Sequence, residues 1–195
     1  MTSKVDIGNL ALVHLGAMPS ITSLDPPDGG AYALHCARFY PIALSQILTH
    51  PWSFAMKRQA LTLIEEDPNS QWAYSYTIPS DCIRPLHVLQ SGSTTDHDGI
   101  DFIIEGNAIY CNQDKPTLLY TTSEINAASF TPLFCDALAR LLAYMLSVPV
   151  MKASAGERAG LYQAFQKSMG YAASVDAMSR KQVAFDHKPA WIAGR

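Results

Sequence analysis

The stretch TPLFCDALARLLAYM, residues 131–145, decides the first part of the fold. Its Thr-Pro start is typical of the N-cap and first position of a helix. An apolar stripe wide enough to be buried then follows at helical spacing, made of Phe134, Leu138, Leu141, Leu142 and Met145. The stretch therefore predicts a buried helix, which we expect to end at Pro149.

Two more helices are predicted before this one. Ser3 and Asp6 have the spacing of a capping box and open a helix over residues 4–15. A second periodic run covers residues 32–47. Because Pro41 has no N–H and its ring crowds the preceding turn, we expect a kink or a break in that helix near Tyr40.

The end of the chain predicts a fourth helix and then an arm. A capping box of Ser154 and Glu157 opens the helix, which reaches about Ser179. Residues 181–195 mix basic and large apolar side chains in a segment too short to form a core. We interpret this segment as an arm that becomes ordered on a partner, with contacts through Phe185, Lys188, Trp191, Ile192 and Arg195.

Between residues 50 and 123 the period of the pattern changes towards two, which predicts strands. The Glu-Gly-Asn sequence at 105–107 is typical of a hairpin turn between two of them. The predicted strands cover residues 72–77, 82–89, 102–105, 108–111 and 117–121. We expect them to form a small antiparallel sheet.

The predicted architecture is α+β and mainly helical. Residues 1–55 and 124–180 would form a bundle of about four helices, with residues 56–123 inserted as the small β-rich unit. Residues 181–195 would form the extended C-terminal arm.

The composition favours a protein that assembles with other subunits. The 195 residues are 48% hydrophobic but only 16% charged, where about 25% is usual, so much of the surface is available for subunit contact. The formal charge of −3 gives no basic field for a stand-alone DNA binder. The apolar run near 138–150 is shorter than the roughly 20 residues of a membrane span, and no signal peptide is indicated, so a cytoplasmic protein is expected.

No residue set predicts catalysis, a cofactor or a metal site. The four cysteines are too far apart for a zinc knuckle, and we expect reduced, mostly buried thiols at Cys36, Cys82, Cys111 and Cys135. The loop Asp96-His97-Asp98-Gly99 offers cation ligands but is more typical of a solvated turn. The usual nucleotide and hydrolase motifs are absent from the sequence.

Two further groups of side chains have a structural and a functional interpretation. Aromatic residues at 50–54, with Trp72 and Tyr74, are favoured as packing between the bundle and the sheet over a ligand-stacking platform. The basic residues are favoured as surface solvation over a pore lining or a DNA contact, and they are Arg38, Lys57, Arg58 and Arg84.

Several motifs, in order, resemble those of one family. ALVHLG at 11–16 and ITSLD at 21–25 look like its opening, and CARFYP at 36–41 leads into HPWSFA at 50–55. YSYTIPSDCIR at 74–84 resembles the family's strand and turn, with Ile78 in place of its Leu, and residues 130–142 resemble its C-terminal helix. The chain is thus similar to the tail tubular protein A family, the head-to-tail adaptors of short-tailed bacteriophages.

The resemblance implies a structural virion protein at the head–tail junction, made in the cytoplasm of a bacterial host. Twelve copies would form a ring between the portal protein and the tail nozzle protein. DNA would pass through its central channel without sequence-specific binding. The helices would supply subunit contacts and the C-terminal arm would bind the portal. No catalysis is implied.

Two alternatives remain open from the sequence. The first is another phage connector, such as a stopper or a tail completion protein. The second is a small α+β enzyme or ligand-binding protein, which requires a pocket with convergent polar groups and perturbed titratable residues.

Overall fold

In a computed structural model, which describes residues 3–68, 71–93 and 99–179, the chain forms four α-helices and eight β-strands. The helices are α1 (Lys4–His14), α2 (Ala31–Ile47), α3 (Pro132–Met151) and α4 (Ala155–Ser179). The strands lie between α2 and α3 and build a unit with its own apolar core.

Helix α3 is the centre of the helical unit and packs against α1, α2 and α4. Its apolar stripe is buried as the sequence predicts, with Phe134, Leu138 and Leu142 fully shielded from solvent. Helix α4 packs mainly against α3 and buries two residues, Ala172 and Asp176. One side of α4 is therefore packed and the rest of the helix is exposed.

The predicted helix starts are confirmed by their capping bonds. The backbone N–H of Asp6 donates to Ser3 Oγ at 3.1 Å, and the N–H of Ser3 donates back to Asp6 Oδ2 at 2.8 Å. The hydroxyl of Thr131 accepts a bond from the N–H of Phe134. These side chains satisfy amide groups that the first turn of a helix leaves without partners.

Helix α3 does not end at Pro149 as expected, and helix α2 does not break at Pro41. Helix α3 continues through Pro149 to Met151 and ends at Lys152, whose φ is +52°. Helix α2 continues through Pro41 without a break. It buries Cys36 and Tyr40 before the proline and Ala43 and Ile47 after it, so tertiary packing holds the helix together where one hydrogen bond is lost.

The eight strands form two four-stranded antiparallel sheets. The order in the first sheet is β1-β8-β4-β5 and in the second β2-β3-β7-β6. The strands are β1 (Met56–Ala60), β2 (Thr62–Glu66), β3 (Tyr74–Thr77), β4 (Cys82–Leu89), β5 (Gly99–Ile100), β6 (Phe102–Glu105), β7 (Ala108–Cys111) and β8 (Thr117–Thr122).

Two short connections lead from one sheet to the other. Only Leu61 separates β1 in the first sheet from β2 in the second, and only Asp101 separates β5 from β6. Buried side chains from both sheets, including Tyr76, Ile109, Leu118 and Tyr120, form one core between them. The predicted hairpin joins β6 to β7, and Gly106 adopts the positive φ of +61° that its turn requires.

The prediction of a mainly helical bundle with a small sheet is therefore wrong. The fold is α+β, with 46% of the described residues helical and 24% in strands, and it has two sheets. The five predicted strand segments are present, but β1, β2 and β5 were not predicted. The C-terminal arm lies outside the described residues.

Candidate assembly surfaces

The aromatic motif at 50–55 lies in the core of the helical unit. Trp52 is fully buried, and its Nε1 donates a hydrogen bond to the carbonyl of Ile47 at 2.8 Å. Its ring meets Phe134 edge-on with the centroids 5.1 Å apart. Trp72 and Tyr74 lie instead in the β unit, so the aromatic residues do not form a single junction.

A buried polar group, which we call the Asp81 cluster (Lys57, Asp81, Tyr120 and Thr122), fastens the turn before β4 to strands β1 and β8. Lys57 Nζ donates to Asp81 at 2.7 Å, the Tyr120 hydroxyl donates at 2.9 Å and the Thr122 hydroxyl at 2.8 Å. The N–H of Ser123 also donates to the Asp81 carbonyl at 2.8 Å. Asp81 belongs to the YSYTIPSDCIR motif, so this motif also serves the fold.

The charges of the Asp81 cluster are fixed near neutral pH. Burial acts to raise the pKa of Asp81, but hydrogen bonds from Lys57, Thr122 and Tyr120 outweigh it and lower that pKa to about 2. The hydrogen bond to Asp81 raises the pKa of Lys57, and burial followed by the Asp81 contact raises that of Tyr120 to about 12. Groups with such pKa values do not exchange protons readily at neutral pH, which favours a structural role.

The thiols are poor candidates for nucleophiles. Cys36, Cys111 and Cys135 are buried as expected, while Cys82 is half-buried. Burial raises the pKa of Cys36 and of Cys82 to about 11 and also raises that of Cys111. Because the reactive form is the thiolate, these environments disfavour reaction.

Of the basic residues singled out in the sequence, Arg58 and Arg84 lie on one face of the first sheet, since they pair with Leu119 and Thr121 of β8, and Lys57 lies on the other face. Lys57 points to the Asp81 cluster, and its neighbour Arg58 points to the other side of β1. Arg84 in β4 donates to the carbonyl of Thr49, and Arg38 lies on α2. The four residues therefore do not form a common DNA-binding patch.

Two open hollows bear on the enzyme alternative. One of about 370 Å³ lies beside Pro41, and Tyr40 and Ser123 contribute to its lining. Burial raises the pKa of Tyr40 to about 12, and the Ser123 hydroxyl bonds to the Asp81 carbonyl. The other, of about 380 Å³, is lined by residues of 59–62, 77–80 and Asn107. Neither lining contains a histidine or a cysteine.

Within 3–68, 71–93 and 99–179, no three His, Cys, Asp or Glu side chains are grouped to hold a metal ion. Most of the loop at 96–99 lies outside the described residues.

The apolar run near 138–150 proves to be part of the 20-residue α3, which by length and composition alone is apolar enough to cross a membrane. More than half of it is buried within the fold, which is typical of a core helix.

The exposed side of α4 is one candidate surface for assembly. Tyr171 and Met178 are 62% and 83% exposed, and Val175 lies between them on the same side of the helix. Glycines at 156, 160 and 170 have no neighbouring atoms where a side chain would begin. The end of the helix is anchored, because Ser53 donates to the buried carboxylate of Asp176 from its N–H at 3.0 Å and from its hydroxyl.

Strand β2 is a second candidate surface. All five of its residues are exposed, including Leu63 and Ile64, and it pairs with β3 only, among the residues described.

The partner residues predicted from the sequence, Phe185, Lys188, Trp191, Ile192 and Arg195, lie outside the described part of the chain. No protein-family model and no curated protein sequence matches this chain.

Proposed function

We propose that this protein is a structural ring subunit of a phage virion, a head-to-tail adaptor without catalytic activity. Twelve copies would join the portal protein to the tail nozzle protein and leave a central channel for DNA. The subunit would be made in the cytoplasm of the bacterial host and would reside in the virion at the head–tail junction. DNA would pass without sequence-specific contacts.

The observation that carries the proposal is the order and wording of the motifs at 11–16, 50–55 and 74–84. Trp52 and Asp81 from these motifs hold the two cores of this fold, so the resemblance extends to residues on which the architecture depends. Resemblance at such positions supports a shared fold, and the proposed function follows from that fold by analogy.

Surface composition supports assembly independently of the resemblance. Helix α4 presents exposed Tyr171, Val175 and Met178 on its free side, and strand β2 presents exposed Leu63 and Ile64. Apolar side chains grouped in this way are typical of surfaces that bind another protein. A ring uses heterologous contacts, in which one surface meets a different surface of the next copy, and two separate surfaces suit that geometry.

Native mass spectrometry of the purified protein, alone and with the portal ring of the same genome, tests the proposal. We expect a symmetric assembly of twelve copies, which at 21.3 kDa each has a mass of about 256 kDa, either free or bound to the portal. A strict monomer in both samples would contradict the adaptor function. A closed ring of another stoichiometry at the portal would favour a stopper or completion protein.

Deletion of residues 180–195 is expected to leave a folded protein that no longer joins portal rings. The segment is too short and interrupted to form a core of its own, so the loss should leave the core intact. Circular dichroism and thermal unfolding check the fold, and co-sedimentation with portal rings checks the binding. Normal portal binding by the truncated chain, or its unfolding, would contradict the assignment of the arm to partner contact.

A further inference from the structure

Strand β2 has the properties of an edge that another strand covers. Leu63 is 44% exposed, and Ile64, which lies at a β-bulge between Leu63 and Glu65, is 54% exposed. Among the described residues, β3 is the only strand paired with β2, so the backbone groups of its other edge remain available for pairing. An exposed apolar edge strand is a template for a further strand.

The charge of this sheet restricts which strand can add. Glu65 and Glu66 lie in β2, and Asp67 follows directly. The four strands of the second sheet contain three glutamates, with Glu105 as the third, and no lysine or arginine. Because like charges on paired strands are destabilising, two β2 edges from different copies do not suit each other. The edge requires a basic partner.

The C-terminal segment of the chain has the complementary charge. Residues 180–195 contain four of the 14 basic residues and one of the 17 acidic residues, a net charge of +3. Residues 1–179 therefore carry ten basic against 16 acidic residues, a net charge of −6. Before Pro189, the segment also has Val183 and Phe185 at the alternate spacing that places side chains on one face of a strand.

We propose that the basic C-terminal segment of one copy adds as a strand to the β2 edge of a second copy. Backbone hydrogen bonds give such an addition its affinity, and the side chains give it its specificity. Lysines of the segment meet Glu65 and Glu66, and its apolar side chains cover Leu63 and Ile64. The inference rests on the proposed ring, since each copy then uses its segment on one neighbour and its edge on the other.

A second copy fits the geometry better than the same chain. Asp176 holds the end of α4 at Ser53, three residues before β1 begins. Between this anchor and β2 lies β1, which contains two residues of the same charge as the segment, Lys57 and Arg58. Sixteen extended residues span up to about 55 Å, more than the diameter of roughly 40 Å of a 170-residue body, so a neighbour is within reach.

Charge reversal with mixing of full-length proteins tests the proposal. One variant carries Glu65→Lys and Glu66→Lys, and the other carries Lys181→Glu and Lys188→Glu. Each variant alone has like charges on segment and edge, and we expect its self-association in sedimentation velocity to weaken by at least about tenfold. Mixing the two variants pairs opposite charges again in both directions, and we expect association to return.

The control variant carries Asp101→Lys and Glu105→Lys, the same change of charge on exposed residues at the opposite edge of the sheet. It should associate like the wild-type protein. Unchanged association of the two test variants would overturn the proposal. If the mixture does not associate but a chain that carries all four substitutions does, the segment binds the edge of its own chain. This result would also overturn the proposal.

Carbodiimide cross-linking of a mixture of ¹⁴N- and ¹⁵N-labelled wild-type protein separates this proposal from the ring itself. Mixed-isotope cross-links from Lys181 or Lys188 to Glu65 or Glu66 are expected, and cross-links of one isotope alone would overturn the docking of a second copy. If the wild-type protein joins portal rings and mixed links are absent, the edge proposal fails and the adaptor proposal stands. If mixed links form but no ring is found, the adaptor proposal fails alone.

Discussion

The substitution Trp52→Ala is expected to lower the free energy of unfolding by about 3–5 kcal/mol. Trp52 belongs to the segment that leads into β1, and its indole is fully buried against Phe134 of α3. Truncation removes its contacts with His50 and Phe134, whose ring centroids lie 4.8 and 5.1 Å away. The surrounding helices cannot close the space completely, so a cavity adds to the loss of apolar burial.

Chemical denaturation followed by far-ultraviolet circular dichroism measures this effect without relying on the fluorescence of the substituted residue. Trp52→Phe is the matched control, since it keeps an aromatic ring but loses the hydrogen bond to Ile47. We expect it to cost about 1–2 kcal/mol. A cost below about 1 kcal/mol for Trp52→Ala would place the side chain at the surface and contradict the packing described.

Local signals in the sequence predicted the helices well. Ser3 with Asp6, Thr131 with Pro132 and Ser154 with Glu157 each predict a helix start, and the structure contains the corresponding side-chain bonds. Such caps depend on residues within one turn, so the sequence alone contains the information. The predicted end at Pro149 was wrong and helix α2 does not break at Pro41, because packing from elsewhere in the fold decides whether a helix continues through a proline.

The number of strands and their pairing could not be predicted from local sequence signals. Four of the five strand segments predicted from their pattern include side chains buried in the β core, such as Tyr76, Val88 and Ile109, and the segment at 102–105 packs the half-buried Phe102 against it. Strand β2 has five exposed residues and β1 has three, so neither shows the alternation that marks a half-buried strand. Their place is fixed by distant partners, since β1 pairs with β8 about 60 residues away.

The candidate surfaces were predictable only in part. The sequence predicted a neutral, apolar-rich surface and a basic end to the chain, but not which elements remain uncovered. Leu63 and Tyr171 are large apolar residues, for which the residue type alone favours burial. Only the fold shows that β2 is an edge and that α4 packs on one side.

The structural role of Asp81 was not indicated by the sequence. In the sequence it is one polar residue of a Pro-Ser-Asp turn, and in the fold it accepts hydrogen bonds from strands 24 and 39 residues away. The strands bring these donors together, and their number explains why the carboxylate tolerates burial. Its charge then links the stability of the β unit to pH.

The substitution Asp81→Asn is expected to lower the free energy of unfolding by about 2–3 kcal/mol at pH 7, because it removes the charge from a buried carboxylate that accepts three side-chain hydrogen bonds. The wild-type protein should itself lose part of this stability in acid. The folded pKa is about 2 and the ordinary value is 3.8, so the unfolded chain binds the proton first as the pH falls. Stability present above pH 4 is therefore lost between about pH 4 and pH 2, by about 2 kcal/mol.

Urea denaturation at pH 7, 5 and 3, followed by circular dichroism, measures both effects. The difference between wild type and Asp81→Asn should be constant from pH 7 to 5 and should shrink towards pH 3, since the asparagine cannot titrate. Asp114→Asn is the control, because that carboxylate is exposed and its contact with Lys115 is long, at 3.9 Å. A difference that stays equal at pH 7 and pH 3 would show that Asp81 acts through its shape and neutral hydrogen bonds, and that its charge does not stabilise the sheet.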